Sequence, residues 1–289
     1  MANQKKHNKF FKVFLSLFLA VVLAAGGFGA YVVCDNSQVV ITDYTYETKK
    51  APSAFNGYKI CLITDFHNGK NYEKVIEAVK KAQPDLICIS GDLINMDDTD
   101  FSNAEKLLIG LTDIANVMYS YGNHEAHCEN IQKMAQIAEK TGVKLLNDEV
   151  TTVEKDGSHI NIIGYGDDIY SDFTYHFEKQ AKKRLTDLSD QFDNDELSVL
   201  IMHRPQYFET TAALPYDLTL SGHLHGGLIN IKQIRTMILQ KHFGTDKYCK
   251  GEYNIADKKM IISAGIAKED KIYRVFNTPE IVVVEIKSL

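Results

Sequence analysis

The stretch Gly222-His223-Leu224-His225-Gly226-Gly227 follows the apolar, β-prone run Leu218-Thr219-Leu220. Two histidines separated by one residue point the same way if the backbone is extended, because side chains alternate along a strand. The flanking glycines allow a tight turn and the close approach of other groups. We therefore expect the pair at or just beyond a strand end, where it could hold a metal ion. Taken alone, such a pair is more often structural or incidental than metal-binding.

Four polar stretches upstream share this setting, each at the end of a predicted strand. They are Asp65-Phe66-His67, Gly91-Asp92-Leu93-Ile94-Asn95, Gly122-Asn123-His124-Glu125 and Met202-His203-Arg204-Pro205. In a sheet with parallel strands, ligands gather at the carboxyl ends of the strands, so residues far apart in sequence can converge there. The set offers two aspartates, one amide and four imidazoles. That is too many for one tetrahedral ion and suits two ions bridged by a carboxylate. Oxygen and imidazole ligands without thiolate favour Mn, Fe, Zn or Co.

The first half of the chain alternates strand and helix, which implies parallel pairing through crossovers. Strands are predicted at Tyr58–Thr64, Asp85–Ser90 and Val117–Tyr121, and helices at Asn71–Gln83, Ala104–Ile114 and Ile131–Lys140. In the second half, Lys155-Asp156-Gly157 is a hairpin turn signal. Further strands are predicted at Val150–Glu154, Ile160–Tyr165, Ser198–Met202, Leu228–Ile231, Lys259–Ser263 and Ile281–Ile286, and helices at Glu178–Leu188 and Pro205–Ala212. The pattern indicates an α/β fold with a mixed-sheet core and helices outside.

The N-terminus has a different composition from the rest. Residues 1–12 carry four lysines, and residues 13–33 form a 21-residue stretch without a charge. Such a stretch is long enough to span a bilayer, and positive charge on its leading side predicts a cytoplasmic N-terminus with the rest of the chain across the membrane. A cleaved signal peptide and a buried core helix are the alternatives. The expected organisation is a basic N-terminus at 1–12, an anchor at 13–33, a connector at 34–54 and one domain at 55–289.

Composition excludes some classes of protein. The 289 residues carry a net charge of −6 with acids and bases interspersed, so no basic field argues for nucleic acid as a partner. The five cysteines are odd in number and follow no metal-binding spacing. Cys61 and Cys88 lie in apolar runs and are expected to be buried thiols. A disulfide between them would need neighbouring strands with suitable geometry.

The order Asp-x-His, Gly-Asp, Gly-Asn-His-Glu, His and Gly-His-x-His resembles the signature of calcineurin-like metallophosphoesterases. The resemblance covers Tyr58 to about Gly227, and it continues more weakly through residues 274–280, which are similar to the closing segment of a membrane-associated bacterial branch. It implies a four-layer αββα sandwich of two mixed β-sheets. It also implies hydrolysis of a phosphodiester, phosphomonoester or pyrophosphate bond by a metal-activated water at a dinuclear site.

The resemblance also implies a role for each matching residue. One metal ion would be held by Asp65, His67 and His225, and the other by Asn123, His203 and His223, with Asp92 bridging both. His124 would protonate the leaving oxygen or stabilise its charge. Glu125 would orient a ligand or His124.

The chain departs from the phosphoprotein phosphatase branch at Asn95-Met96-Asp97, where that branch continues into Asp-Arg-Gly. The missing arginine removes a bidentate phosphate clamp. Arg204 is the nearest candidate replacement, unless it is a surface residue. Asn95 is expected to be able to hydrogen-bond His124.

The anchor points to a phosphorylated small-molecule or lipid-linked substrate of the cell envelope. The alternatives are an inactive binding module of the same fold and a metal-dependent amide hydrolase. The stretch Ile229–His242 has a helical apolar face ringed by Lys232, Arg235 and Lys241. It is predicted either to lie on an anionic membrane surface or to pack on its own domain.

Overall fold

The structure, a computed structural model, describes residues 2–167, 175–267 and 273–289. It begins with helix α1, Ala2–Asp35. The part of α1 from Phe11 to Asp35 is long and apolar enough to cross a membrane, and none of its apolar window is buried. The alternative of a buried core helix is therefore wrong.

The remaining elements alternate much as the sequence predicts. The first half continues with β1 (Val40–Thr48), β2 (Lys59–Ile63), α2 (Tyr72–Ala82), β3 (Leu86–Ser90), α3 (Ser102–Thr112), β4 (Asn116–Ser120), α4 (Asn123–His127), α5 (Ile131–Thr141) and β5 (Lys144–Leu145). The second half contains β6 (Glu149–Lys155), β7 (Ser158–Tyr165), α6 (Tyr175–Ser189), β8 (Ser198–Met202), α7 (Phe208–Ala212), β9 (Leu218–Ser221), α8 (Lys232–Phe243), β10 (Gly251–Ile255), β11 (Lys258–Ile262) and β12 (Glu280–Ser288). Short 3₁₀ turns lie at Ser53–Phe55, Pro205–Tyr207 and His225–Gly227.

The strands form two mixed sheets of six strands each. The first has the order β1-β12-β2-β3-β4-β5. Strands β2 to β5 run parallel, β12 is antiparallel to β2, and β1 is an edge strand parallel to β12. The second sheet has the order β10-β11-β9-β8-β7-β6, with four parallel central strands and an antiparallel hairpin at each edge. The predicted β6–β7 turn is confirmed, since Asp156 and Gly157 have φ values of 49° and 77°.

The sheets pack face to face over an apolar core. Ile60 and Leu62 of the first sheet and Val199 and Ile201 of the second lie in this core, all fully buried. Removing side chains of this size from water contributes about 1.5–3 kcal/mol each. Helices α2, α3 and α5 cover the outer face of the first sheet, and α6 covers that of the second. The predicted four-layer αββα sandwich is confirmed.

Local structure differs from the sequence-based prediction on either side of α8. Leu228–Ile231 is not a strand, because Ile229 makes only an isolated bridge to Val275 before the chain turns into α8. Strand β10 has no counterpart in the sequence-based prediction, and its residues alternate between half-buried and exposed, as on an edge strand. In α8, Leu239 packs against Leu224 and Cys249 of its own domain, whereas Lys232 and Lys241 are exposed.

Candidate metal centre

The predicted metal-type residues all follow the carboxyl ends of five strands, either in loops or in the first turn of a short helix. Three of these strands belong to the first sheet and two to the second, so the loops meet across the gap between the sheets. The strands and the residues that follow them are β2 (Asp65, His67), β3 (Asp92), β4 (Asn123, His124), β8 (His203) and β9 (His223, His225). The prediction that each motif lies at a strand end is confirmed.

The backbone of these loops is sharply turned rather than extended. Asp65, His67, Asp92, His223 and His225 all have positive φ, between 47° and 74°. Such conformations cost about 1–3 kcal/mol each for residues with a Cβ, and they cluster at functional sites. The backbone around the two histidines that follow β9 is therefore not extended, so the condition for their side chains to point the same way is not met. The turn sends their side chains into two different groups of donors.

Three groups of donors lie close enough together to hold a cation, with the ligand atoms of each group within 4.8 Å of one another. These groups are Asp65 with His67 and His225, His67 with Asp92 and His124, and Asp92 with His203 and His223. The carboxylate of Asp92 is the centre of the arrangement. Its Oδ2 lies 3.0 Å from His203 Nε2, 3.8 Å from His67 Nε2 and 3.9 Å from His124 Nε2.

Hydrogen bonds at the outer edge direct two of the imidazoles inward. His67 Nδ1 lies 3.0 Å from Asn95 Oδ1, and His203 Nδ1 lies 2.7 Å from the carbonyl of Ser90. Both partners are acceptors, so each Nδ1 donates and each Nε2 is left with its lone pair toward the site. This is the arrangement of a metal-ligating histidine. Asn95 therefore supports His67, and the expectation that it bonds His124 is wrong.

Several donor atoms match a metal rather than a protein partner. Within the described part of the chain, the buried atoms His67 Nε2 and Asn123 Oδ1 have no hydrogen-bond partner. Buried polar atoms are almost always paired, so atoms left over at one place indicate a ligand. The donor set of carboxylate, amide and imidazole fits divalent cations of the first transition row.

Burial sets the protonation of this site. Desolvation lowers the pKa of His67 to about 4 and holds the pKa values of His223 and His225 well below the ordinary range. These imidazoles are therefore neutral, which is the form that binds metals. Desolvation raises the pKa of Asp65 to about 7. A cation beside this carboxylate would favour its charged form.

Without a metal ion, Asp92 and His203 behave as a buried ion pair, in which His203 Nε2 carries a proton that a bound cation would displace. Burial opposes charge on both groups, but their mutual attraction prevails. The pKa of Asp92 is held well below its usual value, and that of His203 is raised to about 10.

Glu125 is fully buried and binds backbone rather than another side chain of the site. Its Oε2 accepts hydrogen bonds from the N–H groups of Asp92 and Gly122, both at 2.8 Å, and its Oε1 accepts those of Leu93 at 2.6 Å and Ile94 at 3.2 Å. The carboxylate thus ties the loop after β3 to the start of α4. The family resemblance predicts that Glu125 orients a ligand, and the contact that can provide this role is the clamp on the Asp92 backbone.

Glycine is required at positions 122 and 222, where the backbone passes close to the carboxylates of Asp92 and Asp65. A Cβ on Gly122 would lie 2.3 Å from Asp92 Oδ1, and one on Gly222 would lie 2.6 Å from Asp65 Oδ2. Both distances are far below van der Waals contact. The glycines of the motifs therefore leave room for the two carboxylates.

His124 lies at the open side of the site, with 24% of its side chain exposed. The backbone N–H of Met96 donates to His124 Nδ1 at 3.2 Å, which places the proton of the neutral ring on Nε2. That proton faces the cluster. His124 can therefore donate a hydrogen bond or a proton to a group held there.

Arg204 is buried, and the alternative that it is a surface residue is wrong. Its Nε donates to Asp167 Oδ2 at 2.6 Å, and its Nη1 lies 3.4 Å from His223 Nε2. Sequence reasoning assigned no role to Arg274, which is also fully buried, with Nη2 3.4 Å from His225 Nδ1. A lone arginine outside the metal-type stretches gives no signal by residue type or spacing.

The site opens into a cavity of about 960 Å³. His67, His124 and His225 line its inner end, while Lys70 and Lys74 lie along its wall. Solvent and a substrate can reach the donor cluster through this cavity.

Comparison with known proteins places these features in context. Residues 58–227 match the family model of the calcineurin-like phosphoesterases. The uncharacterized metallophosphoesterase YkuE of Bacillus subtilis is 26% identical over 286 residues, covering 96% of this chain and 95% of that protein. A Bos taurus protein described as a transmembrane protein with metallophosphoesterase domain is 24% identical over 243 residues, covering 78% of this chain and 52% of that protein. The crystal structure of TT1561 from Thermus thermophilus has the same fold, with a TM-score of 0.50 and 11% identity over 72% of this chain and 90% of that one.

Proposed function

The chain belongs to the calcineurin-like phosphoesterase family and is a metal-dependent phosphoester hydrolase, and from this premise we propose that two metal ions bridged by Asp92 carry its reaction. The observation that carries the proposal is the position of the Asp92 carboxylate, which belongs to two of the three groups of donors. Asp65, His67 and His225 would hold one ion. Asn123, His203 and His223 would hold the other.

Two bound cations would lower the pKa of a water molecule between them and neutralise charge on the phosphoryl group. The protein supplies the remaining parts. His124 Nε2–H, at the open side of the cluster, donates to the leaving oxygen, a role worth about 10²–10⁴-fold in rate. Arg204, held by Asp167 beside His223, provides a fixed positive charge for a phosphoryl oxygen.

The proposal is tested with the full chain in detergent, stripped of metal and reloaded separately with Mn, Fe, Zn, Co or Mg. Hydrolysis of p-nitrophenyl phosphate and bis-p-nitrophenyl phosphate is measured for the wild type, Asp92→Asn and His124→Ala. His159→Ala is the matched control, because His159 is 41% exposed and lies at the amino end of β7, which runs parallel to β8, whereas the cluster lies at the carboxyl ends of the strands. We expect Asp92→Asn to lose metal and activity, and His124→Ala to lose activity but keep its metal.

Two outcomes would contradict the proposal. If two ions bind and neither ester is cleaved with any metal, the site either serves binding alone or is specialised for a different substrate. If amides are cleaved faster than both esters under the same metal loading, it is an amide hydrolase.

We propose further that residues 13–33 anchor the chain, with residues 1–12 in the cytoplasm and the catalytic domain on the opposite side. Residues 34–54 connect the two and contribute strand β1 to the first sheet, and residues 55–289 form the rest of the domain. The lysines ahead of an exposed apolar helix support this orientation. The substrate would then be a phosphorylated compound of the cell envelope, including lipid-linked ones. Cys34 is exposed just beyond the span, so a membrane-impermeant maleimide should label it in intact cells. Labelling only after lysis would indicate the opposite orientation of the chain in the membrane.

A further inference from the structure

The end of α1 forms part of the wall of the cavity. The same cavity that reaches His67 and His225 is also lined by Val33, Asn36 and Ser37. These three residues lie at or just beyond the end of the apolar helix. The cavity therefore extends from the donor cluster to the end of the membrane-spanning segment, and we call this end of the cavity its mouth.

The length of the span fixes the depth of this mouth. A helix rises 1.5 Å per residue, so a hydrocarbon core of about 30 Å takes about 20 residues. Counted from Val13, where the uncharged stretch begins, the far boundary of the core falls near Val33. Tyr31 lies just inside that boundary, where tyrosine is typical. Val33 therefore lies where the hydrocarbon core meets the headgroup layer.

An aromatic residue of the catalytic domain lies at the same depth. The ring of Phe276 lies 5.7 Å from the ring of Tyr31 and 6.2 Å from that of Phe28, between ring centroids. Phe276 is still 51% exposed, and Tyr273 is 47% exposed. With α1 across the bilayer, Phe276 can lie only in the edge of the hydrocarbon core. Its φ of 55° is rare for a phenylalanine, so the surrounding structure must impose this outward position.

The joint between α1 and the domain is fixed by hydrogen bonds. Asn36 Nδ2 donates to the carbonyls of Val32 and Arg274, and its Oδ1 accepts from the N–H of Arg274 at 2.9 Å. Thr278 Oγ1 donates to Asp35 Oδ1 at 2.6 Å. These bonds tie the end of α1 to the segment that carries Phe276. The depth of the helix therefore determines the depth of the cavity mouth.

We propose that the catalytic domain is seated in the bilayer through Phe276 and Tyr273, and that its cavity takes the phosphate group of a membrane lipid directly from the headgroup layer. The proposal rests on the proposed function, since it identifies the substrate of that hydrolytic site. Hydrolysis breaks the P–O bond to the leaving group, and water supplies an oxygen to phosphorus and a proton to the leaving oxygen. Lys70 and Lys74 are exposed at the cavity wall, where they can attract an anionic headgroup. Lys74 Nζ also donates to the carbonyl of Ser37, just beyond the end of α1, at 2.5 Å.

Depth is measured by tryptophan fluorescence, because the wild-type chain contains no tryptophan. Phe276→Trp, Tyr273→Trp and the control Phe192→Trp are each placed in full-length protein in phosphatidylcholine–phosphatidylglycerol vesicles. Phe192 is close in sequence to Asn194, whose backbone carbonyl accepts a hydrogen bond from Lys50. Lys50 follows the end of β1 that is remote from α1, so Phe192 serves as the control away from the membrane. Lipids brominated near the headgroup should quench the single tryptophan of the first two variants several-fold more than that of the control. Equal quenching of all three variants would contradict the insertion of Phe276 and Tyr273 into the bilayer.

The source of the phosphate is tested in the same vesicles. The hydrolysis rates of dioleoyl phosphatidic acid and dioleoyl phosphatidylglycerol are measured. They are compared with the hydrolysis rates of soluble glycerol phosphate and glycerophosphoglycerol at equal bulk concentration. We expect a lipid to be cleaved at least about tenfold faster than its soluble headgroup compound. Equal or faster cleavage of the soluble compounds would overturn the inference.

Turnover of bis-p-nitrophenyl phosphate distinguishes a failure of the membrane inference from a failure of the proposed hydrolytic function. If this soluble ester is cleaved while the lipid preference or the quenching is absent, only the membrane inference fails. If no ester is cleaved with any metal, the proposed function itself fails.

Discussion

Replacing Glu125 by glutamine tests what holds Asp92 in place. The carboxylate accepts four backbone N–H groups, two on each oxygen, from the loop after β3 and the start of α4. Glutamine keeps one carbonyl oxygen and turns an NH₂ donor toward the other two N–H groups. Each buried donor left without an acceptor costs about 1–3 kcal/mol, so Glu125→Gln should lower the free energy of unfolding by roughly 2–6 kcal/mol. That is a large part of the ~5–15 kcal/mol that stabilises a typical domain.

The assay is urea unfolding of the full chain in detergent, together with metal content after dialysis. Glu129→Gln is the control, because Glu129 is exposed two residues beyond α4, and changes of this kind stay within about 0.5 kcal/mol. Metal retention should fall with stability, since the Asp92 loop loses its clamp. Glu125→Gln with the unfolding free energy and metal content of the control would refute the reasoning.

The same geometry leads to three further predictions. Gly122→Ala places a Cβ against Asp92 Oδ1, so we expect loss of bound metal by elemental analysis, and wild-type metal content would contradict the close contact. Asn95→Ala removes the acceptor of His67 Nδ1, and metal affinity measured by competition with a chelator should fall about 10–100-fold, whereas an unchanged affinity would show that this hydrogen bond does not support the ligand. Four of the five cysteines are buried and Cys34 is exposed, so a thiol reagent should modify one cysteine in the native chain and five after denaturation. Rapid modification of a second native thiol would contradict the burial.

The order of strands and the position of the motifs could be predicted from sequence because both depend on local patterns. The run at β3 is apolar at nearly every position, as expected for a strand covered on both faces, and all five of its residues are buried. Asp92 follows closely after it. When a polar residue follows such a strand, its position at the sheet edge can be predicted from the local sequence alone.

The finer geometry depends on contacts between distant segments, which local patterns do not contain. The left-handed backbone of His223 and His225 arises where the loop after β9 meets the loop after β2, where the N–H of His223 donates to Asp65. The partner of Asn95 likewise depends on how the first two loops pack, which selects His67 instead of His124. Arg204 is buried because Asp167, far away in sequence, supplies its counter-charge.

The bridging of two metal ions by Asp92, between the two sheets, is tested most directly by anomalous diffraction from crystals of the full chain loaded with Mn or Zn. We predict two anomalous peaks about 3.5–4 Å apart, with the Asp92 carboxylate between them. One peak would contradict this prediction, as would two peaks whose nearest carboxylate is not that of Asp92.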